Sequence, residues 1–517
     1  MPSSTIRAAA GISLVTLVSR VLGLVRDVLM IRTLGFSWAT GTFALAWMVP
    51  NLLRRLFGEG AISASFVPIY ARTVKREGPD AARRLLGSIT ALLLLVLGGL
   101  TAAVLLSCWW VPAEWVGKAS VDSSGDVSAH QQGRLLLDLT IILFPYAIPI
   151  CLAAIFAGAL NTHGSFALPA AAPVVLNVFW IAALALVWAL ALRDPTLVVS
   201  LVAMFLLAGG LAQMALSLVP LLRHRRVGPL HFPQSGDPAR QVLRNMAPTV
   251  VGMSLVQLST ILDQTLALYL IDPNAPSFLY TANRLLLFPH ALTSLSLATA
   301  VFPRFAELGG DGDLAGLRRH LDKACRHTLR VAVPATLGMM LVAPGLIETM
   351  FAGERTTAHD LDTAAHTTMC MVASLPAIGV AQLHARALYA LGEYRFAAVV
   401  SFWLLCINAV LDFALVLGLG FGAPGLALAT TVASWLHAAV LRRRVHRSGA
   451  QGEPWDLGKT VLATVVMGVA VWGVLQLTGA QSRLGTLTLR VALPMACGVF
   501  CYGGVLWLLG VRHVKMR

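Results

Sequence analysis

The sequence predicts an all-α polytopic membrane protein: about fourteen transmembrane helices, arranged as two pseudo-symmetric six-helix lobes followed by two C-terminal helices. Three observations predict it. Hydrophobic residues fill 57% of the 517 positions and charged residues only 12%, roughly half the charge of an ordinary soluble domain. Apolar stretches of about 20 residues, the length that crosses a bilayer core, recur from one end of the chain to the other. The basic residues gather in every second connection, which is the distribution of cytoplasmic loops.

The spans fall at 10–34, 38–57, 85–111, 134–160, 166–192, 197–222, 244–271, 278–303, 329–351, 366–391, 396–419, 423–441, 459–478 and 487–511. Breaker clusters such as Arg193-Asp194-Pro195, Asp272-Pro273-Asn274 and Gly422-Ala423-Pro424 separate them. The basic connections carry Arg72, Lys75, Arg76, Arg83 and Arg84, then Arg223, Arg225, Arg226 and Arg240. Arg318, Arg319, Lys323 and Arg326 follow, then Arg442, Arg443, Arg444 and Arg447, and the tail adds Arg512, Lys515 and Arg517. The alternate connections are nearly bare of them, and the one at 112–132 holds Glu114, Asp122 and Asp126 with a single lysine. Both termini are therefore expected on the cytoplasmic side of a bacterial inner membrane, which requires an even number of crossings. The first apolar stretch contains Arg20, Arg26 and Asp27 and has no small-residue cleavage pattern, so it does not have the form of a signal peptide.

The chain repeats internally. NLLRRLFGEGAISASFVPIYA from Asn51 aligns with NRLLLFPHALTSLSLATAVFPRFA from Asn283, and both end in a Pro-x-aromatic-Ala signature around Pro68 and Pro303. ALNTHGSFA from Ala159 aligns with ALYALGEYRFA from Ala387, and Asn177 follows the first as Asn408 follows the second. The offset is about 230 residues, or six helices, so the two copies share one orientation, as in many alternating-access transporters. The expected division is an N-lobe at 1–222, a cytoplasmic linker at 223–243, a C-lobe at 244–445 and a terminal helix pair with its tail at 446–517.

Several function classes are disfavoured. The net charge of +15 is spread over alternate loops rather than gathered on one face, so nucleic acid is not an expected partner. The seven cysteines are scattered, and Cys497 and Cys501, though four apart, lack histidine or carboxylate neighbours, so they suit apolar packing better than a metal. His163, His290 and His384 stand isolated and suit structural roles. There is no P-loop, H-E-x-x-H pair or G-x-S-x-G elbow. The chain is thus expected to be a transporter rather than an enzyme, with no cofactor for chemistry and with an ion gradient or the membrane potential as its energy source.

The informative residues are charges inside spans, each costing several kcal/mol at the bilayer centre unless paired or hydrated. The first span holds Arg20, Arg26, Asp27 and Arg32; the second ends in Arg54, Arg55 and Glu59 after Pro50; the eighth opens on Asn283 and Arg284. Arginines from both copies suggest a cationic cavity, and the guanidinium fork suits the oxygens of a phosphate-bearing, lipid-linked anion. The alternative is that they are interfacial snorkellers or gating ion pairs, such as Arg26 with Asp27 or Arg55 with Glu59. A second set, Asp263, Asn408, Asp412 and Thr430, offers hard oxygen donors suited to sodium as a coupling ion, or else hydrogen bonds between helices.

SRVLGLVRD, PNLLRRLFGEGAISASFVPIYAR, ALNTHGSFALPAAAPVVLN, ANRLLLFP with its trailing FPR, ARALYALGEYR and GLALATTVAS resemble, in order and spacing, the MurJ (MviN) family of lipid II flippases in the MOP exporter superfamily. The resemblance covers essentially the whole chain. It implies fourteen helices, a V-shaped pair of lobes, a central cavity for the lipid II headgroup and a groove by the last two helices for the polyprenyl tail. It implies headgroup contacts at Arg26, Arg54 and Arg284, with Asp27, Arg55 and Glu59 beside them as gating or pairing groups, and a sodium site at Asp263, Asn408, Asp412 and Thr430; with the reading of the charged spans, Arg20 and Arg55 join the expected substrate-binding set and Asn283 the gating set. The expected partners are lipid II and membrane lipids, for a monomer with contacts to cell-wall synthesis proteins left open. The chain departs from the family pattern where Gly41 stands for an aspartate, Met48 for a lysine and Asn283 for an aspartate, which touches gate latching and cargo identity. A flippase for another undecaprenyl-diphosphate glycan, a non-transporting cell-wall scaffold and a drug exporter are the competing readings.

Overall fold

The structure, a computed structural model, describes residues 3–54, 56, 62–122, 125–233, 238–446, 455, 457–479 and 488–510. Two compact units divide the chain, Met1–Pro276 and Ser277–Arg517.

The first unit contains α1 (Ser3–Leu34), α2 (Trp38–Leu53), α3 (Ile62–Arg76), α4 (Pro79–Trp110), the single turn α5 (Ala113–Val116), α6 (Ala129–Leu143), α7 (Ala147–Thr162), α8 (Ala167–Ala189), α9 (Pro195–Arg223) and α10 (Pro238–Leu266). Several of these starts have a local cause. The Ser37 side chain caps α2, and Asp194 caps α9 with Pro195 at its first position. Pro145 lies in the 3-10 turn Phe144–Tyr146 that bends α6 into α7. Between α5 and α6, Ser120–Asp122 pairs antiparallel with Gly125–Val127 in a short hairpin. That hairpin and α5 lie in the 112–132 connection, where the sequence suggested only an acidic loop. The core gathers Phe66, Leu139, Leu143, Tyr146, Phe156 and Trp180 from α3, α6, the 3-10 turn after it, α7 and α8.

The second unit contains α11 (Ala275–His290, entering from the end of the first), α12 (Ser296–Gly310), α13 (Leu314–Phe351), α14 (Ala358–Val372), α15 (Leu375–Ala390), α16 (Tyr394–Phe413), α17 (Gly422–His446), α18 (Gly458–Gly479) and α19 (Leu493–Leu508). Thr357 and Asp360 close a capping box on α14. Pro376 starts α15 after a break, at the place Pro145 holds in the first copy of the repeat. The span expected as one helix at 278–303 is two, α11 and α12, joined by a π turn at Ala291–Leu295. Pro289, two residues before that turn, has no N–H for the α ladder. Phe305, Leu321, Leu383, Leu388 and Leu441 form this unit's core, while Val342, Met467, Val471 and Val491 seat α18 against α13.

Ten of the described helices are long and apolar enough to cross a membrane. The expected spans outside this set lie on α1, α2, α10 and α11–α12, the helices carrying Arg20, Arg26, Arg54, Asp263 and Arg284. Trp109, Trp110, Trp115, Phe500 and Trp507 stand exposed, as on surfaces that meet lipid and its interface.

Candidate functional site

In the first unit the α1 arginines separate sharply. Arg20 and Arg32 are exposed, whereas Arg26 is 4% and Asp27 5% exposed. Arg26 Nε donates to Asp27 Oδ1 at 3.0 Å and Nη1 donates to Asn177 Oδ1 of α8 at 2.8 Å. The guanidinium lies over the Trp180 ring, 4.1 Å from its centroid. Asn177 is itself oriented, because its Nδ2 donates to the Ser19 carbonyl at 2.9 Å. Trp180 packs edge-on against Phe43 and Trp47, and Trp47 contacts Tyr146. A buried cation is tolerable only with such partners: an anion, an aligned amide dipole and an aromatic face. Arg26 is thereby built into the junction of α1 and α8. The ion pair weighed as the alternative from sequence, Arg26 with Asp27, is present.

Arg54 sits half-buried at the C-cap of α2, its Nε donating to Asn51 Oδ1 at 3.0 Å. Arg55 and Glu59 lie outside the described residues. Asp263 is buried on α10. Gly41 accounts for one departure from the family: a Cβ there would stand 2.0 Å from the Pro273 carbonyl oxygen. Any side chain at this position, aspartate included, is excluded by backbone contact in this conformation.

In the second unit Asn283 and Arg284 are half-buried on α11. Asn408 and Asp412, 2% and 0% exposed, meet on α16, where the amide donates to the carboxylate at 3.0 Å. Thr430 lies on the adjoining α17 and donates to the Leu426 carbonyl at 3.1 Å. Among the described residues no group of three or more His, Cys, Asp or Glu is placed to hold a metal ion. The donors present here, one carboxylate with an amide and a hydroxyl, match a hard monovalent cation better than a soft metal.

Sequence reasoning missed Trp180 and the pairing of Asn177 with Arg26, although the recurrence of Asn177 as Asn408 was a usable signal. In both units the repeated asparagine anchors a buried charge, Arg26 in one and Asp412 in the other. It also took three histidines for isolated groups. His163 Nε2 meets Tyr70 Oη at 3.3 Å, and His290 meets Gln382 at 3.2 Å. His384 stacks near His446 and Trp455, beside Cys325. Trp455 donates to the buried Asp322 carboxylate at 3.0 Å and lies beneath Arg442, 3.9 Å from its ring.

Among the described residues, ten spanning-length apolar helices and several buried charges define a polytopic α-helical membrane protein, and its fold matches solved transporters. A structure described as lipid II flippase MurJ in an inward closed conformation superposes with a TM-score of 0.77 at 23% identity, covering 97% of this chain and 99% of that one. An inward-facing multidrug resistance MATE family transporter of the MOP superfamily superposes with a TM-score of 0.70 at 14% identity, over 83% of this chain and 95% of that one. The profile described as "Lipid II flippase MurJ" matches residues 30–493. The lipid II flippase MurJ of Burkholderia cenocepacia is 31% identical over 527 aligned positions, covering 99% of this chain and 98% of its own length. The chain belongs to the lipid II flippase MurJ family.

Proposed function

We propose that this protein flips lipid II, the undecaprenyl-diphosphate-linked precursor of peptidoglycan, across the bacterial inner membrane by alternating access. The observation that carries the reading is family membership over nearly the full length of both chains, at 31% identity to the Burkholderia cenocepacia flippase. In this reading fourteen helices cross the membrane with both termini cytoplasmic. Two six-helix lobes enclose a cavity open to one side at a time, and the C-terminal pair guides the polyprenyl tail. The protein works as a transporter, without covalent chemistry.

Arg54 and Arg284 bind the diphosphate by bidentate, charge-assisted hydrogen bonds, with Arg20 and Arg55 beside them. Arg26, held by Asp27, Asn177 and Trp180, acts first as a fixed positive centre on α1. It reaches the headgroup if α1 shifts against α8. Asp412, Asn408 and Thr430, with Asp263, bind sodium, which resets the inward-facing state. The test is reconstitution into proteoliposomes with fluorescent lipid II added to one leaflet. The expected result is sodium-stimulated loss of lipid II from that leaflet; rates equal to those of protein-free vesicles would refute the function.

A further inference from the structure

The internal repeat makes α10 the first helix of the second six-helix set, yet α10 packs on α2, α3 and α4 of the first. Alternating access requires the two sets to part on one side, so what clasps the end of α10 bears directly on the cycle. The clasp is built from four segments of the first unit.

The α10 helix ends in a π turn, Ala267–Ile271, and the last carbonyls of any helix end lack backbone partners and carry the negative end of the dipole. Lys118, in the connection after α5, fills that role. Its Nζ donates to the Tyr269 carbonyl at 2.8 Å and to the Ile271 carbonyl at 2.9 Å. Tyr269 returns a hydrogen bond, Oη to the Val116 carbonyl, at 3.1 Å. The Lys118 backbone is in turn fixed: its N–H donates to Gln132 Oε1 at 3.1 Å, and Gln132 Nε2 donates to Thr42 Oγ1 at 2.9 Å. Thr42 neighbours Gly41, where the bare backbone lets Pro273 approach.

Glycine also permits the tight seat of the lysine connection. A Cβ on Gly117 would lie 1.8 Å from the Ala129 carbonyl, and one on Gly133 would lie 1.8 Å from the Ala113 carbonyl. Beyond the turn, Asp272 Oδ1 accepts from the Asn274 and Ala275 N–H groups, capping the start of α11. Partial burial pushes the Lys118 ammonium below the ordinary lysine range, against the opposing field of Asp272. The ammonium meets two main-chain oxygens while partly withdrawn from solvent.

We propose that Lys118 is the latch of the extracytoplasmic closure, clamping the end of α10 onto α2 and α6, and that it must release for the cavity to open on that side. The proposal rests on the transport reading above.

The test uses the full chain in nanodiscs, with spin labels at Gln131→Cys on α6 and Leu258→Cys on α10, both exposed positions outside the latch, in a background without the native cysteines. Pulsed-EPR distances and lipid II flipping are measured together. Removing two charge-assisted hydrogen bonds in Lys118→Met should raise the ratio of the longer to the shorter distance about tenfold, and Lys118→Arg should restore the wild-type distribution. Gly41→Ala, whose methyl cannot share space with the Pro273 carbonyl, should shift the distances the same way without touching the lysine. Flipping by the wild type, with unchanged distances in both Lys118→Met and Gly41→Ala, overturns the latch and leaves the flippase reading standing. Shifted distances without any wild-type flipping uphold the latch and overturn the flippase reading.

Discussion

Replacing Asn177 by leucine tests whether Arg26 is held as described. The substitution keeps side-chain volume close and removes the amide oxygen that accepts from Arg26 Nη1 at 2.8 Å. A buried hydrogen bond to a charged group contributes about 1.5–3 kcal/mol, and leaving its charged donor without that partner costs at least as much. The amide's bond to the Ser19 carbonyl is lost as well. The expected destabilisation is about 2–3 kcal/mol, a shift of roughly 30- to 150-fold in the folded-to-unfolded ratio. Equilibrium unfolding in mixed micelles, followed by tryptophan fluorescence, measures it. The double-mutant cycle with Arg26→Met isolates the pair, and its coupling should be about 1.5–3 kcal/mol. Stability within about 0.5 kcal/mol of wild type, the range of an ordinary surface change, together with no coupling, would show that Arg26 is not anchored through Asn177.

Three further outcomes follow from other contacts. Trp455→Ala removes the donor to buried Asp322 and the ring beneath Arg442, and should lower stability by about 1–3 kcal/mol; Trp455→Phe should recover part of that in thermal melts by keeping the ring. Gly133→Ala places a methyl 1.8 Å from the Ala113 carbonyl, so α5 must move, at a cost of about 1–3 kcal/mol in the same melts. Asp412→Asn should abolish the difference between flipping rates in sodium and potassium while the protein still inserts and melts as wild type; a retained sodium effect would remove Asp412 from the ion site.

The long apolar helices were legible in the sequence because hydropathy over about 20 residues is a strong signal. The repeat was legible too, and Pro145 and Pro376 break their helices in corresponding places. The arginine-bearing helices α1, α2, α10 and α11 also lie where the sequence placed spans. The environment of Arg26 was not legible: Asn177 lies 151 residues away, and only the packing of α1 on α8 brings them together. Gly41 was visible as a missing carboxylate, but its reason is the Pro273 carbonyl, a backbone contact that no side-chain pattern encodes. Lys118 stood out only as one cation in an acidic connection, because its partners are main-chain oxygens.

The most direct test of the central claim is complementation in a bacterium depleted of its own lipid II flippase, reading lipid II stalled in the cytoplasmic leaflet. The wild-type chain should clear the stalled lipid and restore growth, whereas Arg26→Ala and Arg284→Ala, inserted at normal abundance, should not. A well-expressed wild type that leaves lipid II stalled, or arginine variants that clear it fully, would contradict the account.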